Sequence, residues 1–213
     1  MHTTRSDPSS SASYYAPLLR FLEHQPSTAR VEIPFTRDHW EAVFVASHAP
    51  LARGWERQLD MTYNSLFYER RPLSAEAYHR WLVDSGVTWV ALPDVPLDYS
   101  ARAEARLLNG GLSYLQPVWH DAHWRLWRVE GSPSLATGSA QLVSVRPDGF
   151  VLDATAPGTT TVRLRYTSAW SVIGGAGCVR ETSSHWTQVV ARAPGRITVS
   201  ASLTPAHTDC DAP

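Results

Sequence analysis

The side chains best suited to chemistry gather in one stretch, Ile33 to Asp60. Its second half carries His48, Arg53, Trp55, Arg57 and Asp60, in a segment rich in proline and aromatics. Arginine binds carboxylate or phosphate through paired hydrogen bonds, tryptophan offers a flat stacking face, and aspartate accepts from hydroxyls. Asp94 and Asp98 follow another apolar run, at a position that could face the first set. Together these residues suit a sugar, a sugar phosphate or a lipid head group. The alternative is an Arg/Asp network pinning a long loop, with Trp55 as its plug. Buried charges are commonly paired for such structural reasons, and the residues alone favour this alternative.

Three smaller constellations carry weaker signals. Arg37-Asp38-His39-Trp40-Glu41 holds a histidine and two carboxylates, the material of acid–base catalysis. It also reads as a polar turn leading into a strand, which is the preferred reading. His120-Asp121-Ala122-His123 offers metal-ligand types at a hairpin tip, with too few ligands nearby for a site. Gly174-Gly175-Ala176-Gly177 has no lysine and no helix after it, so it reads as a β-turn and not a phosphate loop. No nucleophile elbow, zinc-protease or dinucleotide fingerprint occurs, and no metal or cofactor is implied.

The elements that would position these residues fall into two groups. Residues 1–13 form a Ser/Thr-rich tract expected to be disordered. Tyr15, Leu18, Leu19 and Leu22 predict a helix over 14–24, with Pro17 tolerated only near its first turn. Arg30 to Phe35 alternates as a half-buried strand, and Glu41 to Ser47 is a continuous apolar run expected to be a buried parallel strand. A long loop from His48 to Arg71 is expected to contain a short helix near 64–68. Ser74 caps a helix that Gly86 stops, and Val87 to Leu92 returns as a strand, giving a right-handed βαβ unit from 41–47. A helix over 100–108 and a hairpin, 112–119 and 124–130, complete an α/β domain over 14–131.

Gly131 to Ser139 has linker composition. Beyond it, short strands at 141–145, 150–154, 160–166, 186–192 and 196–202 alternate with Pro/Gly turns, predicting an antiparallel β-sandwich over 140–203. A polar tail, 204–213, is expected to be loose. The fold class is thus an α/β (α+β) domain with a partly parallel sheet, followed by an antiparallel β-sandwich.

Composition narrows the partners. The chain has 213 residues, 43% of them hydrophobic and 18% charged, with a net charge of -1. That balance gives no footprint for nucleic acid and no polybasic membrane patch. All basic side chains are arginine. Nine tryptophans suit cores, interfaces or sugar-stacking platforms, and Trp170 and Trp186 in the sandwich are candidates for the last. Cys178 and Cys210 could pair in an oxidising compartment or remain unrelated thiols. No apolar run approaches a membrane span, and Met1 to Ser13 has no signal-peptide core. The chain is then either cytoplasmic or a piece whose export signal lies elsewhere.

The order RVEIPF, HWEAVFVA, PLARGWERQLD, an aromatic helix, GVTWVALPD and HWRLWRVE resembles a soluble C-terminal region. That region belongs to polytopic, mostly actinobacterial membrane proteins of the GT-C glycosyltransferase type. The resemblance runs from about Tyr14 to Leu203. It implies an extracytoplasmic accessory module attached to a membrane part absent from this sequence, contacting either a saccharide or the membrane-embedded core of the same or a neighbouring protein. Enzymes of that type keep their catalytic acid in a membrane-side loop, so the resemblance assigns no catalytic residue here. Two alternatives stand beside it. One is a free-standing enzyme acting on a sugar or phosphate ester through His48, Arg53, Arg57, Asp60 and Asp94. The other is a carbohydrate-binding module centred on the sandwich.

Overall fold

Two short apolar segments set up the N-terminal sheet. β1 (Arg30–Glu32) runs parallel to β2 (Val87–Pro93), with Val31 opposite Trp89. β2 continues antiparallel to β4 (Trp124–Val129), and β4 to β3 (Leu115–His120), giving the order β1-β2-β4-β3. This is a computed structural model, and it describes residues 7–202 and Cys210. Within it the chain divides into two units, Met1–Ser132 and Pro133–Pro213.

The first unit buries both faces of its sheet. Trp89 and Ala91 of β2, with Trp124 and Leu126 of β4, pack against Tyr14, Tyr15, Leu18 and Leu22 of α1 (Ala12–Leu22). Val90 and Leu92 pack on the other side against Tyr78, Trp81 and Leu82 of α4 (Ala75–Asp84), and against Ala105 and Leu108 of α5 (Arg102–Gly110). Double coverage explains the unbroken apolar run of β2. Ser74 Oγ accepts from Ala77 N to cap α4, and Gly86, at φ +66°, ends it in the left-handed region. Asp121 Oδ1 accepts from the backbone N–H of His123 and Trp124, which fixes the β3–β4 turn.

Three expectations need correction here. The run from Glu41 to Ser47 is not a strand: it enters α2 (Trp40–Phe44) and then turns. Its burial follows the helical i, i+4 spacing, with Glu41 and Val45 buried while Val43 is 62% exposed. Thr36 Oγ1 accepts from Trp40 N, and Glu41 reaches back to Thr36 N and Oγ1, so the first turn is closed by side chains. The parallel partner of β2 is therefore β1. The crossover passes through α2, α3 (Arg57–Tyr63), a 3-10 turn at Ser65–Phe67, and α4. Residues 7–13, expected to be disordered, instead form a turn and the start of a helix. Asp7 caps a 3-10 turn at Pro8–Ser10 through Ser9 N and Oγ, Ser9 is buried, and α1 begins at Ala12. Pro17 consequently lies inside α1, beyond its first turn. Finally, Glu32 was expected on a half-exposed face of β1, and it is buried.

The second unit holds two four-stranded antiparallel sheets. They are formed by β5 (Ala136–Gly138), β6 (Ala140–Arg146), β7 (Gly149–Ala154), β8 (Gly158–Arg165), β9 (Trp170–Gly174), β10 (Gly177–Glu181), β11 (Trp186–Ala191) and β12 (Gly195–Ala201). Their orders are β10-β11-β8-β5 and β6-β7-β12-β9. Phe150, Leu152, Val162, Val189, Ile197 and Val199 fill the core between them. β5, β9 and β10 were not expected, because their glycines and polar residues hide the alternation. The Gly174–Gly177 run is the turn that carries the chain from one sheet to the other. Gly175 sits at φ +87°, and a Cβ there would lie 2.2 Å from Arg196 O, so only glycine fits.

Cys178, on edge strand β10, forms a disulfide with Cys210, at a sequence separation of 32. Residues 1–6, 203–209 and 211–213 lie outside the described residues, and the expected loose tail falls almost wholly among them. Removing both sulfurs with Cys178→Ser and Cys210→Ser should lower the stability of the sandwich by about 2–4 kcal/mol. Urea denaturation without reductant measures this, and unchanged stability would contradict it.

Candidate functional site

The residues expected to converge do so only in pairs, Arg53 with Asp60 and Arg57 with Asp98, while His48 and Asp94 lie elsewhere. With 40–44 helical, the chain reaches His48 through a turn and not from the end of a strand. His48 lies on the surface facing Glu23 at 3.9 Å. Asp94 is also on the surface, where it accepts from Tyr14 Oη at 2.8 Å and lies 2.9 Å from His123 Nδ1. Those bonds hold the Asp94 carboxyl below its ordinary range despite partial burial, and they raise His123. Arg53 and Asp60 meet in the interior, while Trp55 and Arg57 line a surface groove.

Arg53 is the centre of the interior group. Its guanidinium lies between the rings of Phe35 and Phe67, at 4.0 and 3.9 Å from their centroids. Its Nε and Nη2 donate to Asp60, which also accepts from Asn64 and Tyr68. Asn64 in turn accepts from Trp81 Nε1. On the far side, Arg53 Nη1 stands 3.9 Å from Glu32 and 3.6 Å from Glu104. The side chains of Arg53, Glu32 and Glu104 are all 0% exposed. Sequence reasoning missed Glu32 and Glu104. The available signal was a charge inside an apolar stripe, since Ala101, Glu104, Ala105 and Leu108 share one face that runs from the N-cap along the fifth helix.

Three carboxylates around one guanidinium cannot all be ionised in a dry interior. Asp60 takes the bidentate pair. Glu104 Oε1 accepts from Tyr78 Oη at 2.6 Å. Neither Glu32 oxygen meets an N–H or O–H donor among the described residues. Burial first, and then the adjacent Glu104, push Glu32 well above the ordinary carboxyl range. Burial also raises Glu104, against the pull of Arg53 and Tyr78. Protonation is therefore favoured at Glu32 far more than at an ordinary glutamate, and it relieves the repulsion with Glu104. This resembles the shared proton of a catalytic carboxylate dyad, but no substrate can reach it.

The groove is the accessible counterpart. It has a volume of about 490 Å³ and is lined by Asp38, His39, Ala42, Val43, Trp55 and Arg57. Arg57 donates to both oxygens of Asp98, at 3.3 and 2.9 Å, and lies over the Tyr99 ring. Asp98 also accepts from Ser100 N and Oγ, and this set drives its pKa down to about 2 against burial. His39 adopts φ +58° and stacks on Phe35 at 4.2 Å. Because Arg57 Nη2 can only donate, His39 Nε2 accepts and Nδ1 carries the hydrogen. Burial lowers the His39 pKa, which favours this neutral form. Ser100 also lies 3.4 Å from Arg53 Nη2, so one hydroxyl joins the interior group to the wall of the groove.

The remaining candidates are accounted for structurally. Trp170 donates to Arg165 O and packs edge-on against Phe150, and Trp186 lies under the Arg165 guanidinium at 3.7 Å. Both indoles are half-buried. Among the described residues, no group of three or more His, Cys, Asp or Glu is placed to hold a metal ion. No helix among them is long and apolar enough to cross a membrane. Neither a protein-family model, a curated protein nor a solved structure matches the chain.

The shared proton has a measurable consequence. An unfolded glutamate ionises near pH ~4.3, and folded Glu32 holds its proton above that. Its stabilisation is complete below the unfolded pKa and is lost as pH rises toward the folded pKa. Glu41, raised to about 7 by burial, acts in the same sense. Asp98 and His39, both lowered, act at the acid end and leave the alkaline side flat. Glu32→Gln keeps a donor toward Glu104 and removes the titration. Its stability relative to wild type should rise by about 1.4 kcal/mol per pH unit from just above the unfolded pKa of ~4.3 upward, until the folded Glu32 pKa is reached. Parallel stability curves for the two proteins would refute the assignment.

Proposed function

We propose that this chain is a non-catalytic, extracytoplasmic binding module serving a membrane glycosyltransferase-like protein. The observation that carries the non-catalytic reading is the burial of the acid cluster. The groups most like a catalytic dyad, Glu32 and Glu104, have side chains with 0% exposure and are consumed by Arg53 and Tyr78. The five residues a free-standing sugar or phosphate-ester enzyme would need are spread over separate places: His48 beside Glu23, Asp94 beside His123, Arg57 in the groove, and Arg53 with Asp60 in the interior. A general acid or base must come within hydrogen-bond reach of its substrate, and a sealed carboxyl does not.

The compartment and the attachment rest on two further supports. The Cys178–Cys210 disulfide suits an oxidising environment outside the cytoplasm. The resemblance of the segment order to the C-terminal regions of GT-C-type proteins supplies the membrane partner.

Two measurements test the reading together. In intact cells of the source organism, both thiols should resist alkylation until reductant is added. The reading frame upstream of Met1, or a neighbouring one, should encode apolar spans of about 20 residues. Free thiols in the cell, or a locus encoding no such spans, would overturn the proposal.

A further inference from the structure

The groove beside α2 and α3 holds features that the fold alone does not require. Trp55 is 70% exposed and Val43, which lines the same groove, is 62% exposed. Stability favours covering such side chains, so an exposed indole beside polar groups marks a contact surface. His39 keeps a left-handed backbone although it is neither glycine nor asparagine, and its buried Nδ1 has no hydrogen-bond partner among the described residues. Strain and an unmet donor in one residue are tolerated where surrounding structure holds them for a purpose. Both fall on a residue that lines the groove.

The lining also restricts the occupant. Arg57 already gives two nitrogens to Asp98, and the exposed Asp38 adds negative charge, so a free anion is poorly matched. A cation would meet the Arg57 guanidinium and only one aromatic face. The volume of about 490 Å³ is in the range of small-ligand sites. What remains is a ring with one apolar C–H face and an edge of hydroxyls.

We propose that the Asp38–His39–Trp55–Arg57 groove is a saccharide subsite for a neutral pyranose or furanose ring. The ring lays its C–H face on the Trp55 indole. Its hydroxyls donate to the Asp38 carboxylate and accept from the part of the Arg57 guanidinium left exposed. The bidentate Arg57–Asp98 pair, braced by Ser100, fixes the wall against which the ring sits. The proposal names the ligand class of the module described above and rests on that reading.

The test uses the full chain and a panel of methyl glycosides of glucose, mannose, galactose, arabinose and N-acetylglucosamine at millimolar concentration. The readout is the set of indole N–H resonances in nitrogen-15 spectra, assigned by single Trp→Phe variants. At least one glycoside should shift the Trp55 resonance while leaving those of Trp124 and Trp170 in place. Trp55→Ala should weaken binding about tenfold or more, and Asp38→Asn by a smaller factor. Trp55 is a surface residue, and unchanged circular dichroism would show that the variant is folded. A panel that leaves the Trp55 resonance unmoved, or binding that survives Trp55→Ala, overturns the subsite. Either result leaves the non-catalytic module reading standing. Turnover of a bound glycoside would overturn that reading and leave the subsite standing.

Discussion

Arg53 is the residue on which the rest of the N-terminal unit depends. One guanidinium joins Phe35 after β1, Phe67 before α4, Asp60 in α3 and Glu104 in α5. A fully buried cation is tolerated only when its charge is balanced, and here the balancing groups come from β1, from the crossover and from α5. The βαβ connection from β1 to β2 is long and contains only short helices. Such segments have little stability of their own. Their positions come from the side chains that reach inward to this one group.

The same arrangement explains why the interior is not a site and the groove is a candidate. The interior network satisfies Asp60 four times over, through Arg53, Asn64 and Tyr68, and spends a proton to relieve Glu32. Ser100 then passes the order outward to Asp98, Arg57 and His39. A rigid polar wall at the surface is thereby built from within. Binding sites gain from such preorganisation, because less entropy is lost when a ligand arrives.

Much of the architecture was legible in the sequence, for identifiable reasons. Ser74 and Gly86 bound a helix by local chemistry, and the Val87–Leu92 run, set between Gly86 and Pro93, reads as a buried strand. The α/β unit followed by an antiparallel sandwich follows from the change of period after Gly131. Glu41 to Ser47 misled because a short apolar run has no unique period. Its fate was decided by Thr36 and Glu41 bonding across a turn, an interaction that no periodicity carries. The missed strands β5, β9 and β10 pair through backbone with few apolar side chains to announce them. At the site, Arg53 and Asp60 were recognised as a network alternative from their types. Glu32 and Glu104 were not, because their pairing depends on β1 and α5 meeting in three dimensions, over 72 positions of sequence that spacing cannot span.

The central claim is that Glu32, inside a closed cluster organised by Arg53, ionises well above an ordinary glutamate. The most direct measurement is a carbon-13 NMR titration of the glutamate side-chain carboxyls, with Glu32→Gln identifying its resonance. The account predicts that the Glu32 carboxyl keeps its protonated chemical shift well above the pH of ~4.3 at which exposed glutamates ionise. A Glu32 resonance that titrates with the exposed glutamates would contradict it.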